Sequence, residues 1–196
     1  MGLSKQAKIM SQTMEKMVLR HLEDSRQPAR DKVMFLLSHK AGLRAKEIAA
    51  ITWAMVIDAN GNIGKEIRLE NIAAKGNSGR VIPLNAELMA ALVALHMDRG
   101  DMAQPQNTIV HSERGLRMSA PTVTNWFHKL YKKLGLQGCS SHSGRRTFAT
   151  RAAKAIVGAG GSLRDVQQLL GHSSLATTQR YLDGSENAKQ RVVDMV

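Results

Sequence analysis

Cysteine is nearly missing from this chain, and its scarcity excludes two architectures at once. Cys139 is the only one, so no internal disulfide can form, and no Cys/His cluster has the paired spacing of a structural zinc site. The fold must therefore rest on a buried apolar core, for which 196 residues in one domain are sufficient. Aromatic residues make up 4%, which argues against recognition by stacking bases on aromatic platforms. No apolar run approaches a membrane span, and the N-terminus lacks the continuous apolar stretch of a signal peptide. These absences predict a protein of a reducing cytoplasm with no membrane contact. Nucleotide motifs are missing too. There is no Gly-x-x-x-x-Gly-Lys-Ser/Thr loop, and Gly158 to Gly161 lacks the preceding strand and later glycine of a dinucleotide site. Ser140, Ser141 and Ser143 flank His142 without the glycines of a nucleophile elbow. No cofactor and no metal are expected.

What the chain has in excess is positive charge. Its 28 Lys and Arg against 16 Asp and Glu leave +12, with a pI near 10.3. Such a surplus favours a polyanionic partner, and its spread along the whole chain places the field on the folded surface. With few aromatics, contacts to phosphates are the expected binding mode.

The patterning predicts a mostly helical α+β domain with one small sheet. Met10, Met14, Met17 and Val18 recur at helical spacing, and a second helix covers Val33 to Leu37 between Pro28 and Gly42. Arg44 to Ile51 reads as a short third helix. Met55 to Ile57, Glu66 to Leu69 and Arg80 to Ile82, separated by Asn/Gly turns, predict a three-stranded antiparallel sheet ended by Pro83. Helical spacing returns after Asn85 with Leu88, Leu92 and Leu95, and Thr108 to His111 reads as a brief extended piece. Ser119 caps a helix with Pro121 in its first turn and Val123, Phe127, Leu130 and Leu134 as its buried stripe. A further helix runs from near His142 to about Ile156. Ser162 to Asp165 has capping-box form, starting a helix that Gly171 stops, and Ser174 to Leu182 forms the last one. The remaining tail ends on the apolar Val192, Val193 and Val196.

Several basic groups fall at loops and helix starts, where side chains can converge on one ligand. Arg44 opens a helix, Lys75 sits at a β-turn, and His142 and Arg145 share a face near a helix N-terminus, which itself attracts phosphate. His172 follows a helix stop, and Tyr181 lies nine residues on, inside a short helix. Two Arg, one Lys, two His and a Tyr make a poor metal site and a good phosphate site. Tyr131 is the other tyrosine of the chain and the alternative nucleophile.

At these residues the sequence resembles the tyrosine recombinases, also called phage-type integrases. The resemblance rests on Ala41-Gly-Leu-Arg-Ala-Lys-Glu-Ile48, Ala74-Lys-Gly76 leading into Val81-Ile-Pro83, Ser141-His-Ser-Gly-Arg-Arg-Thr-Phe-Ala-Thr150, and Leu169-Leu-Gly-His-Ser-Ser-Leu-Ala-Thr-Thr-Gln-Arg-Tyr181. It runs from about residue 10 to residue 182. It implies a catalytic-domain fold over 1–182, a tail over 183–196 that is exchanged with a neighbouring protomer, and no N-terminal core-binding domain in this chain. The implied activity is site-specific recombination for a mobile genetic element, by integration, excision or inversion, through a 3′-phosphotyrosine intermediate. By the same resemblance Tyr181 is the nucleophile, and Arg44 and Arg145 grip the nonbridging phosphate oxygens. Lys75 is the general acid for the leaving 5′ oxygen, His142 assists proton transfer from the tyrosine, and His172 hydrogen-bonds the phosphate. The implied partners are double-stranded DNA, further copies of the chain as a tetramer on paired sites, and accessory DNA-binding proteins. Glu47, Gly171 and Thr178 also match the family pattern and read as structural support. Two other readings are a type IB topoisomerase-like enzyme and a DNA-binding regulator that no longer cuts. The stretch Ile156 to Ser162 is longer than the pattern, and Ala54 and Met55 stand where an acidic residue is usual after Trp53.

Overall fold

The computed structural model of the protein describes residues 6–71, 73, 79–115 and 117–181. Eight α-helices and one β-hairpin are formed by these residues: α1 (Gln12–Glu23), α2 (Pro28–Lys40), α3 (Ala45–Ala50), β1 (Glu66–Leu69), β2 (Arg80–Pro83), α4 (Ala86–Arg99), α5 (Ala120–Lys133), α6 (Ser143–Ala155), α7 (Leu163–Leu170) and α8 (Leu175–Gln179).

Helix α2 is the axis of the domain. Val33 to Leu37 are five consecutive residues with almost no exposure, so this helix is covered on every side. It packs against α1, α3, α4 and α6. Burying each such side chain is worth roughly 1.5–3 kcal/mol, so this one helix anchors much of the core. Its buried Arg30 bonds Asp31 through Nε and Nη2 at 2.9 and 2.7 Å and donates Nη1 to the His111 carbonyl at 3.1 Å. Where α2 meets α6, Gly144 lies against Ser38 and His39, leaving no room for a Cβ.

Most helix starts follow their local chemistry. Ser11, Asn85 and Ser119 each cap a helix through a side-chain oxygen that accepts a backbone N–H, at 3.2, 3.0 and 3.2 Å. Ser162 and Asp165 form the predicted box, and Gly171 ends α7 in the left-handed region.

The predicted three-stranded sheet is corrected: among the described residues it has two strands, β1 and β2, antiparallel with Ile67 opposite Ile82. The run at Met55 to Ile57 does not join it. Trp53, Met55 and Val56 are all buried, so the alternation of a half-buried strand is absent, and Trp53–Met55 forms a 3-10 turn. Ile57 makes only an isolated bridge to Ile63, around a turn in which Asp58 accepts the Asn60 and Asn62 N–H groups. Thr108 and His111 likewise form single bridges, to Thr52 and Arg117. The last helix is also shorter than predicted. It stops at Gln179, and Tyr181 sits in the turn just beyond it. Lys75 and the tail from 182 onwards lie outside the described residues.

Candidate active site

The site is assembled where the α2–α3 corner, the start of α6 and the end of α7 meet. Gly42 turns the corner at φ +65°, a conformation that favours glycine, and Phe148 of α6 packs against it. This aims the Gly42 carbonyl at Arg145, the third residue of α6. Arg145 is buried and donates Nη1 to Gly42 and Nη2 to the Leu170 carbonyl at the end of α7, both at 2.6 Å. Arg80, from β2, donates Nε to the Leu169 carbonyl at 2.8 Å. The orphan carbonyls at the end of α7 are therefore held by two guanidiniums, the charge that a helix C-terminus favours.

Glu47 is the centre of this charge cluster and has no exposed surface. Arg44, the residue preceding α3, donates its backbone N–H and Nη1 to it, both at 2.8 Å, and Arg80 grips both carboxylate oxygens at 3.0 Å. Arg145 stands 4.0 Å away. Burial works against the charged carboxylate, but the bonds from Arg80 and Arg44 outweigh it and hold the Glu47 pKa below its ordinary value. Three guanidiniums against one carboxylate leave the site strongly positive. Burial, helped by Arg44 and Arg80, lowers the Arg145 pKa to about 9.

Beyond α7, the left-handed Gly171 swings the chain so that His172 faces α8. Its Nδ1 lies 2.9 Å from the buried Thr178 hydroxyl, and its ring stacks on Tyr181 with 8° between the planes. Burial, with Arg145, Arg44 and Arg80 nearby, lowers the His172 pKa to about 4. Tyr181 opens onto a cavity of about 430 Å³ lined also by Ser140, His142, Arg145, Arg146 and Thr177. His142 is exposed at the N-cap of α6, three residues before the buried Arg145.

Five of the six predicted residues thus come together: His142, Arg145 and Tyr181 around the cavity, His172 against Tyr181, and Arg44 close enough to affect both Arg145 and His172. Lys75 is outside the described residues. The other tyrosine is removed from contention. Tyr131 is 2% exposed, its hydroxyl has no hydrogen-bond partner among the described residues, and burial pushes its pKa far above the ordinary value, so it is a core residue. A second cavity, of about 410 Å³, is lined by Thr52, Arg99, His111 and Arg117 and includes none of the five predicted residues that are described. Among the described residues no group of three or more His, Cys, Asp or Glu side chains could hold a metal ion. Arg80 is the residue that the sequence reading missed. The signal was its position: alternation puts it on the inward face of β2 with Ile82, where an unpaired charge would not be tolerated. Glu47 and Thr178 do more than support packing, since each bonds a predicted site residue.

Comparison with known proteins gives the family and the fold. The model of the phage integrase family matches residues 7–188. The chain is 31% identical over 172 residues to the tyrosine recombinase XerC of Myxococcus xanthus, covering 84% of this chain and 54% of that one. It is 34% identical over 161 residues to XerC of Actinobacillus pleuropneumoniae serotype 7, covering 81% and 49%. It therefore spans about half the length of these relatives. Among solved structures, the XerA recombinase superposes with a TM-score of 0.69 at 26% identity, covering 96% of this chain and 64% of that one. The Tn1549 transposon integrase, solved with a circular intermediate DNA, superposes at 0.74 with 20% identity, covering 98% and 67%, a likeness of fold. Matched over nearly its whole length, this chain belongs to the phage integrase family.

Proposed function

We propose that this chain carries the catalytic domain of a site-specific DNA recombinase, which cuts and rejoins strands through a covalent bond between Tyr181 and a 3′ phosphate. The observation that carries the reading is the convergence of Tyr181, Arg145 and His142 on one open cavity with His172 stacked behind the phenol. A scissile phosphodiester in that cavity would meet the Arg145 and Arg44 guanidiniums on its nonbridging oxygens. In-line displacement gathers negative charge there, and fixed cationic forks in a partly dry site stabilise it.

In the step itself the Tyr181 oxygen forms a bond to phosphorus while the bond from phosphorus to the 5′ oxygen breaks. The phenol proton, normally held to a pKa of ~10, leaves towards His142, and the departing 5′ oxygen takes a proton from Lys75. His172 donates to a phosphate oxygen. One phosphoester replaces another, so the strand can be resealed by the reverse attack. On this reading residues 1–182 form the catalytic domain, and 183–196 a tail lent to a neighbouring copy. The partners are cytoplasmic double-stranded DNA and further copies of the chain, assembled as a tetramer on paired sites.

The test is covalent capture on a nicked duplex whose cleaved 5′ fragment diffuses away. The chain is expected to form a denaturant-resistant adduct with this DNA, and Tyr181→Phe is expected to bind the duplex but form none. An adduct that persists in the Phe variant would move the nucleophile elsewhere and overturn the assignment.

A further inference from the structure

A carboxylate offers about four acceptor sites, and all four of Glu47 are filled. Oε1 accepts from Arg44 Nη1 at 2.8 Å and Arg80 Nη1 at 3.0 Å; Oε2 accepts from the Arg44 backbone N–H at 2.8 Å and Arg80 Nη2 at 3.0 Å. Arg145 Nη1 is 4.0 Å from Oε2, beyond hydrogen-bond range, and donates instead to the Gly42 carbonyl, while Nη2 donates to the Leu170 carbonyl. We propose that Arg80 is a positioning residue: by occupying half of the Glu47 acceptor sites it keeps the Arg145 guanidinium turned to the substrate phosphate rather than to the carboxylate. This rests on the recombinase reading above and adds a residue to it.

The physical case is a competition for one cation. A buried carboxylate that loses two charge-assisted bonds is strongly unfavourable until another donor replaces them. With Arg80 gone, Arg145 is the next cation among the described residues that does not already bond Glu47, and a movement of about 1 Å would bring it within bonding range. That movement would pull it off its two carbonyls and turn N–H groups away from the phosphate. Arg80 also fixes the segment that presents His172, because its Nε holds the Leu169 carbonyl and its guanidinium lies over Gly171, where a Cβ would stand 3.0 Å from Nη1. Reacting groups tolerate such displacements poorly.

The experiment measures single-turnover cleavage of the nicked duplex by the unchanged chain, Arg80→Met, Glu47→Gln and the double variant, with duplex affinity and thermal midpoint recorded for each. Arg80→Met is expected to slow cleavage by on the order of 10²-fold, the cost of a misplacement near 1 Å. Affinity for the duplex should change little, because the spread of phosphate contacts remains. The distinguishing readout is rescue. Adding Glu47→Gln to Arg80→Met removes the carboxylate that captures Arg145, so the double variant should cleave faster than Arg80→Met alone. A merely structural Arg80 predicts the opposite order, since two lost contacts are worse than one. A double variant no faster than Arg80→Met, or an Arg80→Met rate equal to that of the unchanged chain, overturns the proposal. If Arg80→Met shows no thermal transition, Arg80→Lys replaces it in the same comparison, because one ammonium cannot fill both sites of the fork. Failure of the unchanged chain to form a Tyr181 adduct would remove the recombinase reading and this inference together. A normal adduct with an unaffected Arg80→Met would remove the inference alone.

Discussion

The imidazole of His172 lies parallel to the phenol of Tyr181, with 6.0 Å between ring centroids, and its Nδ1 faces the Thr178 hydroxyl. With a pKa near 4 the ring is neutral around pH 7, so it has one N–H to give. The role proposed for His172, donating to a phosphate oxygen, needs that proton on Nε2. Thr178 must then donate to Nδ1. Thr178→Val keeps the buried shape and removes this donor, and is expected to slow adduct formation by roughly tenfold or more, whereas Thr178→Ser should stay near the original rate. Equal rates for the Val and Ser variants in single-turnover assays would show that Thr178 does not set the tautomer.

Lys75 carries the general-acid assignment through its place in the family pattern. Lys75→Ala is expected to lose on the order of 10²–10⁴-fold in cleavage of ordinary DNA. Replacing the bridging 5′ oxygen by sulfur provides a leaving group that departs as a thiolate without a proton. On that substrate Lys75→Ala should recover, while Arg145→Ala stays impaired because the nonbridging oxygens still need their cation. Recovery of both variants, or of neither, would assign the proton to another group.

Gly42 is expected to be among the least replaceable glycines. An added Cβ would stand 2.5 Å from Phe148 Cδ1 at φ +65°, whereas at Gly61, with φ +79°, nothing lies within 4 Å. Gly61→Ala should therefore cost only the backbone strain of about 1–2 kcal/mol, and Gly42→Ala clearly more, together with slowed cleavage as the carbonyl holding Arg145 shifts. Denaturant melts of the two variants compare them directly. A Gly42→Ala chain as stable as Gly61→Ala would contradict the packing.

Acid should weaken the fold through His39. Burial lowers its pKa to about 3, against the backbone bond from Nδ1 to the Phe35 carbonyl, which is 3.3 Å long. A depressed folded-state value means that the unfolded chain binds the proton first. Stability is full above about pH 6.5 and falls as pH drops towards 3, by an amount on the order of a few kcal/mol. His39→Gln is expected to flatten that part of the stability profile. An unchanged slope between pH 6.5 and 4 would place the acid sensitivity elsewhere.

The sequence made the helices legible where caps and glycines mark their ends, as at Ser119, Ser162 and Gly171, because those signals act within one turn of chain. It misled at Met55 to Ile57. β-rich composition there reflects the burial of Met55 and Val56 beside Trp53, and burial of consecutive residues does not distinguish a strand from a tight turn. The site was legible as a set of residue types in a family order, and five of its six members do meet. What stayed hidden was the joinery. Arg80 meets Glu47 across the domain, and only the fold brings an inward-facing strand arginine to a helix-start glutamate.

The two carbonyls that hold Arg145 come from opposite parts of the chain, Gly42 at the α2–α3 corner and Leu170 at the end of α7. An arginine on a ribosome-tethered fragment that stops before α7 would have only one of its two anchors, and neither His172 nor Tyr181 would exist beside it. The setting of Arg145 is therefore complete only once α7 has been made and packed. On the recombinase reading, a copy cut short before α7 would keep most of its surplus of lysine and arginine for binding DNA but lack the proposed nucleophile, and it would not cleave the strand.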